Sequence, residues 1–78
     1  MNIRVFTKDH CQPCKLTRRK LTELGLEYTE LDAREHVDQL AALGYTSAPV
    51  VTVVTDDGKT LSWSGYSPDN IKALVGRD

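Results

Sequence analysis

The 78-residue chain has no long hydrophobic run. Its longest nearly apolar stretch, Ala48 to Val54, has seven residues, against the roughly 20 that a membrane-spanning helix requires, so no membrane anchor is expected. The opening residues Met-Asn-Ile-Arg-Val-Phe lack the apolar stretch and small-residue site of a secretory signal, which makes the cytoplasm the expected compartment. Linkers, repeats and low-complexity segments are also missing. One domain spanning residues 1–78 is therefore expected, with a thin core, because chains this short bury only about 60% of their unfolded surface. A hydrophobic fraction of 40% and a charged fraction of 27% exclude a disordered or collagen-like chain. Cysteine is scarce too: Cys11 and Cys14 are the whole complement of two. In a reducing cytosol such a pair points to catalysis or metal binding before a structural staple.

Net charge is only −1, but its distribution is uneven. Residues 1–20 carry six cations and Asp9 alone, or +5, and the remainder carries −6. Asymmetry of this kind can mark a nucleic-acid patch. Here Lys15, Arg18, Arg19 and Lys20 gather on one expected helix without interleaved aromatics, which favours a solvated face that steers an acidic partner. No nucleic-acid partner is expected.

Ile3, Val5 and Thr7 alternate with Arg4 and Phe6, as a first strand requires. From Pro13 the spacing turns helical: Cys14, Thr17, Leu21 and Leu24 form one stripe, and Gly25 is placed to stop the helix. Glu27–Leu31 reads as a short second strand. Asp32 with Glu35 resembles a capping box opening a helix whose apolar face is Val37, Leu40 and Ala41, ended by Gly44. Val50–Val54 is a β-branched run suited to a strand buried on both faces. Asp57-Gly58 predicts a hairpin turn, and Leu61 and Trp63 share a face of the returning strand, Thr60–Trp63. Ser67 can cap a last helix with Pro68 in its first position and Ile71, Leu74 and Val75 buried, ending at Gly76. The order β-α-β-α-β-β-α predicts an α/β domain, a four-stranded mixed sheet flanked by three helices.

The chemistry lies in Cys11-Gln12-Pro13-Cys14. Two sulfurs at this spacing meet only if the backbone bends into a first helical turn, which a place between strand and helix supplies. A thiolate at a helix N-terminus faces free amide hydrogens and the positive end of the dipole, lowering its pKa from about 8.5 toward the roughly 7 of thioredoxin-type sites. Cys11, at the loop mouth, is the expected nucleophile, and Cys14, on the buried stripe, the expected resolver of a mixed disulfide. Three other readings stay open. A zinc site would need ligands beyond His10, adjacent to Cys11, and His36, on another helix. A structural disulfide closing so small a loop would constrain the unfolded chain little. Unused buried thiols are the third.

Beyond the cysteines, Val5-Phe6-Thr7-Lys8, Ser47-Ala48-Pro49-Val50-Val51 and Trp63-Ser64-Gly65-Tyr66-Ser67-Pro68-Asp69 together make the chain resemble the NrdH-type redoxins over nearly its whole length. The resemblance implies a thioredoxin fold in a glutaredoxin-shaped, monomeric thiol-disulfide oxidoreductase. It implies electron delivery to class Ib ribonucleotide reductase, through that enzyme's large subunit or another disulfide-bearing protein. Re-reduction would come from thioredoxin reductase and NADPH, with no bound cofactor. It also implies a cis Ala48-Pro49 bond holding the Ala48 backbone opposite Cys11 for an extended partner segment, whereas the residues by themselves allow a trans proline opening a strand. Trp63, Ser64, Gly65 and Tyr66 would form a docking surface beside Gln12 and Pro13, although alternation with Leu61 makes Trp63 a core residue. One departure stands out: the family usually carries Gln directly before the second cysteine, and here Gln12 comes first and Pro13 takes that place. Pro13 lacks an amide hydrogen and stiffens the loop, so a potential toward thioredoxin's roughly −270 mV is expected, about 2 to 3 kcal/mol from the glutaredoxin range.

Two competing functions follow from the same residues. A glutathione-dependent glutaredoxin would carry an aromatic between its cysteines and a later Gly-Gly with an acidic residue; here the loop has no aromatic and Gly65 precedes Tyr66. An iron-sulfur module ligated by Cys11 and glutathione would depend on the same missing contacts.

Overall fold

The computed structural model describes Met1–Gly76. The elements run β1 (Asn2–Thr7), α1 (Gln12–Glu23), β2 (Thr29–Asp32), a 3-10 turn over Ala33–His36, α2 (Val37–Ala42), β3 (Val50–Val54), β4 (Thr60–Ser64) and α3 (Pro68–Val75). The sheet order is β2-β1-β3-β4, with β1 parallel to β2 and antiparallel to β3, and β3 antiparallel to β4. This is the expected mixed sheet, and its register follows side-chain alternation. Ile3, Val5, Val51 and Val53 point to one face, where Leu21 and Leu26 around α1 and Ile71 and Leu74 of α3 close a core over them. Phe6 and Val50 point to the other, where Leu40 of α2 covers them.

The stop at Gly25 is built as a double backbone hookup. Gly25 N–H donates to Thr22 O (3.1 Å) and Leu26 N–H to Leu21 O (2.9 Å), a pattern that requires a positive φ at the glycine, here +72°. The reversal delivers Leu26 into the same core as Leu21.

Six local expectations are corrected. The second strand starts at Thr29 rather than Glu27 and extends to Asp32. Asp32 caps the 3-10 turn and not an α-helix: its Oδ1 accepts from Arg34 N–H (2.9 Å), and Glu35 does not complete a box. The tighter turn brings the second amide, not the third, to the carboxylate. Entering α2 through this turn puts Ala33 beside Phe6 and Leu40 and leaves Val37 59% exposed and Ala41 exposed, so of the expected apolar face only Leu40 is buried. β3 is buried on both faces only at its start; Val54, at its far end, is 45% exposed in a surface hollow it shares with Gln39 and Leu43. At α3 the Ser67 hydroxyl makes no capping bond; its carbonyl accepts from Ile71 N–H at 3.1 Å. Val75, one step past the Ile71–Leu74 pair, faces out at 46% exposure.

Candidate active site

β1 ends at Thr7 and the chain reaches α1 through Lys8-Asp9-His10. His10 takes φ +54°, a left-handed conformation uncommon outside glycine, and turns the chain so that Cys11 becomes the N-cap of α1 with extended angles (φ −116°, ψ 102°). The Cys11 carbonyl accepts from Lys15 N–H (3.2 Å) as the first helical bond. Its sulfur accepts from Cys14 N–H, also at 3.2 Å. Pro13, in the first turn, forfeits only an amide that a helix start leaves unpaired.

Cys11 and Cys14 are joined in a disulfide, with S–S 2.12 Å and Cα–Cα 5.2 Å. Their surroundings differ. Cys11 is half-buried beside exposed Gln12 and Pro13, and Cys14 is 1% exposed, one turn inside the protein. Thr17, on the same stripe, is fully buried, and its hydroxyl donates to Pro13 O at 2.8 Å, tying the loop between the cysteines to the second turn. The stripe placed Thr17 inside; the bond to Pro13 is a role the pattern did not show. When the disulfide opens, a negative sulfur at Cys11 meets the Cys14 amide and the positive end of a 12-residue helix, both of which favour thiolate over thiol.

The other motifs emerge at the same end of the sheet. Phe6 pairs with Val50 and Val50 with Ser64, so the end of β1, the start of β3 and the end of β4 lie side by side. Ala48-Pro49 is cis, in place of the trans proline the residues by themselves allowed, and Pro49 is buried. Ser64 Oγ donates to Ser47 O (2.9 Å) and Gly65 N–H to Pro49 O (2.8 Å), so Ser64-Gly65 clasps the loop around Ala48. Gly65 holds φ +85°, and a Cβ there would meet nothing within 4 Å; only the backbone angle calls for glycine. Among the described residues, Ala48's own N–H and C=O have no hydrogen-bond partner. Trp63 packs against the α1/α3 core, its Nε1 buried without a partner among the described residues, while Tyr66 is exposed.

A polar network secures the neighbouring edge. Thr7 Oγ donates to Glu30 Oε2 (2.8 Å), which also receives Arg18 Nη1 at 2.5 Å. The Thr7 hydroxyl, with Arg18, holds the Glu30 carboxyl below its ordinary pKa. Hydrogen bonding from the Arg34 side chain and backbone does the same for Asp32. Among the described residues no three of His, Cys, Asp and Glu come together as a metal-holding group.

A dithiol at the N-cap of the first helix of a four-stranded mixed sheet defines a redox protein of the thioredoxin fold. The glutaredoxin family model matches residues 3–57. The glutaredoxin-like protein NrdH of Salmonella typhimurium is 32% identical over 77 residues, covering 95% of this chain and 89% of that protein. NrdH of Lactococcus lactis subsp. cremoris is 28% identical over 76 residues, covering 94% and 99%. The solved structure of the Escherichia coli NrdH-redoxin, described with a thioredoxin-like activity profile, superposes with a TM-score of 0.81 at 32% identity, covering 95% of both chains. The chain belongs to the glutaredoxin family and within it to the NrdH-type redoxins. It is a thiol-disulfide oxidoreductase with a Cys-X-X-Cys pair.

Proposed function

We propose that the protein reduces a disulfide in a partner protein, with Cys11 as attacking thiolate and Cys14 as resolving thiol. The observation that carries this assignment is the difference in burial between the two sulfurs. The Cys11 thiolate attacks one sulfur of the partner disulfide, forming a mixed disulfide and releasing a partner thiolate, which takes up a proton. Cys14, deprotonated, then attacks the Cys11 sulfur and releases the second partner thiolate. Two electrons pass to the partner, and the Cys11–Cys14 disulfide remains. The unpaired N–H and C=O of Ala48 support a docking mode in which an extended partner segment pairs there, with Gln12, Pro13, Ser64, Gly65 and Tyr66 around it and Trp63 bracing that surface from behind.

The client is the class Ib ribonucleotide reductase large subunit or a similar disulfide-bearing protein. Thioredoxin reductase with NADPH restores the dithiol, and no bound cofactor takes part. The reading includes a cytoplasmic monomer; among the described residues no helix is long and apolar enough to cross a membrane. The test supplies oxidised protein with NADPH and either thioredoxin reductase or glutathione plus its reductase. Rapid turnover with thioredoxin reductase is expected, and turnover confined to the glutathione arm would sink the reading in favour of a glutathione-dependent glutaredoxin. A Cys14→Ser variant should accumulate the mixed disulfide with the client through Cys11, identifiable by mass spectrometry.

A further inference from the structure

The charges around Cys11 are not balanced. A surface hollow of about 510 Å³ opens beside it, lined by Lys8, Asp9, His10, Cys11, Lys15 and Arg18 among others. Asp9, the one carboxylate there, is engaged by Arg34 at 3.6 Å. Arg18 is in turn occupied by Glu30 at 2.5 Å. Lys8 and Lys15 are exposed, and their ammonium groups have neither an ion pair nor a hydrogen bond among the described residues. Lys15 sits four positions after Cys11, a spacing that brings side chains onto one helix face, and the adjoining helix end adds positive potential. On the other side of Lys8 the groove lined by Val37, Leu40, Ala41 and Ala48 offers apolar contact. The positive charge left uncompensated among the described residues thus lies at Lys8 and Lys15, in the hollow that holds the attacking sulfur.

Resting on the reduction of a partner disulfide at Cys11, we propose that the docking segment of the partner is acidic, with Asp or Glu side chains next to its cysteines received by Lys8 and Lys15. Lys8 and Lys15 line the same hollow as the attacking sulfur, so their charge draws an acidic segment toward it and turns a basic one away. Selection is electrostatic and therefore sensitive to salt.

Three synthetic peptides, each closed by one disulfide and flanked by Glu, Ser or Lys, test this with chemically pre-reduced protein in a single turnover, independent of any reductase. At low salt the Glu peptide is expected to be reduced about tenfold faster than the Lys peptide, a ratio that contracts toward one in high salt. The double variant Lys8→Gln/Lys15→Gln should collapse the ratio, and Lys59→Gln, at the β3–β4 hairpin, should keep it. Equal rates for the three peptides, or a ratio that survives in the double variant, overturns the proposal. Failure of the pre-reduced protein to reduce any of them strikes instead at the reductase function on which it rests.

Discussion

The two faces of the sheet are covered by helices of different reach. On one, α1 and α3, of 12 and 8 residues, close eight buried side chains into a core. On the other, the six-residue α2 buries Leu40 over Phe6 and Val50 and leaves Val37 and Ala41 open beside Lys8 and Ala48. The core closes fully on one face, and the shortfall on the other leaves apolar surface beside Lys8 and Ala48. Packing is in this way divided unequally between the two sides of a single sheet.

Replacing Leu21 by alanine, at the centre of the closed core, is expected to have the largest effect, about 3 kcal/mol lost in denaturant unfolding. The same change at Leu40 should cost about 2 kcal/mol, the low end for Leu→Ala, because its site borders an open groove. Equal losses at the two positions would break the contrast. At the edge where β2 meets the α1 face, packing is replaced by the Thr7–Glu30–Arg18 network. Glu30 has a folded pKa below its ordinary value of 4.5, so its contribution is present above about pH 4.5 and is lost as pH falls through the depressed value. Glu30→Gln should therefore flatten the acid limb of stability against pH, and as a half-exposed pair it should cost at most about 1 kcal/mol at pH 7. An unchanged acid limb in that variant would remove the network from the account. Val37→Ser should be smallest, within about 0.5 kcal/mol, and a loss of 2 kcal/mol would show that α2 seals its face in solution.

Much of the architecture could be read directly from the chain. The alternation of Ile3, Val5 and Thr7, the β-branched run at Val50–Val54 and the stripe through Cys14, Thr17 and Leu21 are short-range patterns, and all three became the elements they predicted. The misplacements are apolar residues at the ends of their elements: Val37 opens α2 just after the 3-10 turn, Val54 ends β3 and Val75 ends α3, and local periodicity does not say whether a residue at an element's end is covered. The 3-10 turn at Ala33–His36 and the change of role for Asp32 arose where one amide competes with the next for the same carboxylate. At the site, the place of Cys11 and Cys14 between strand and helix was legible. The Thr17 bond to Pro13 and the hold of Ser64-Gly65 on Ser47 and Pro49 were not, because nothing in a local pattern says which carbonyl a hydroxyl or amide will reach.

By itself, the sequence determined the order of strands and helices, the dithiol at a helix start and, through its motifs, the family. Spacing, β-branching and turn residues act within a few positions, so they survive without knowledge of the rest of the chain. The tertiary structure alone decided which backbone groups at Ala48 find no partner among the described residues, and which charges are already taken. Arg34 reaches back to Asp9 and Arg18 across to Glu30 only once the strands and helices are packed, and Lys8 and Lys15 are left without an ion pair among the described residues for the same reason. Charge pairing and burial are relations between distant parts of the chain, and they come into being with the fold.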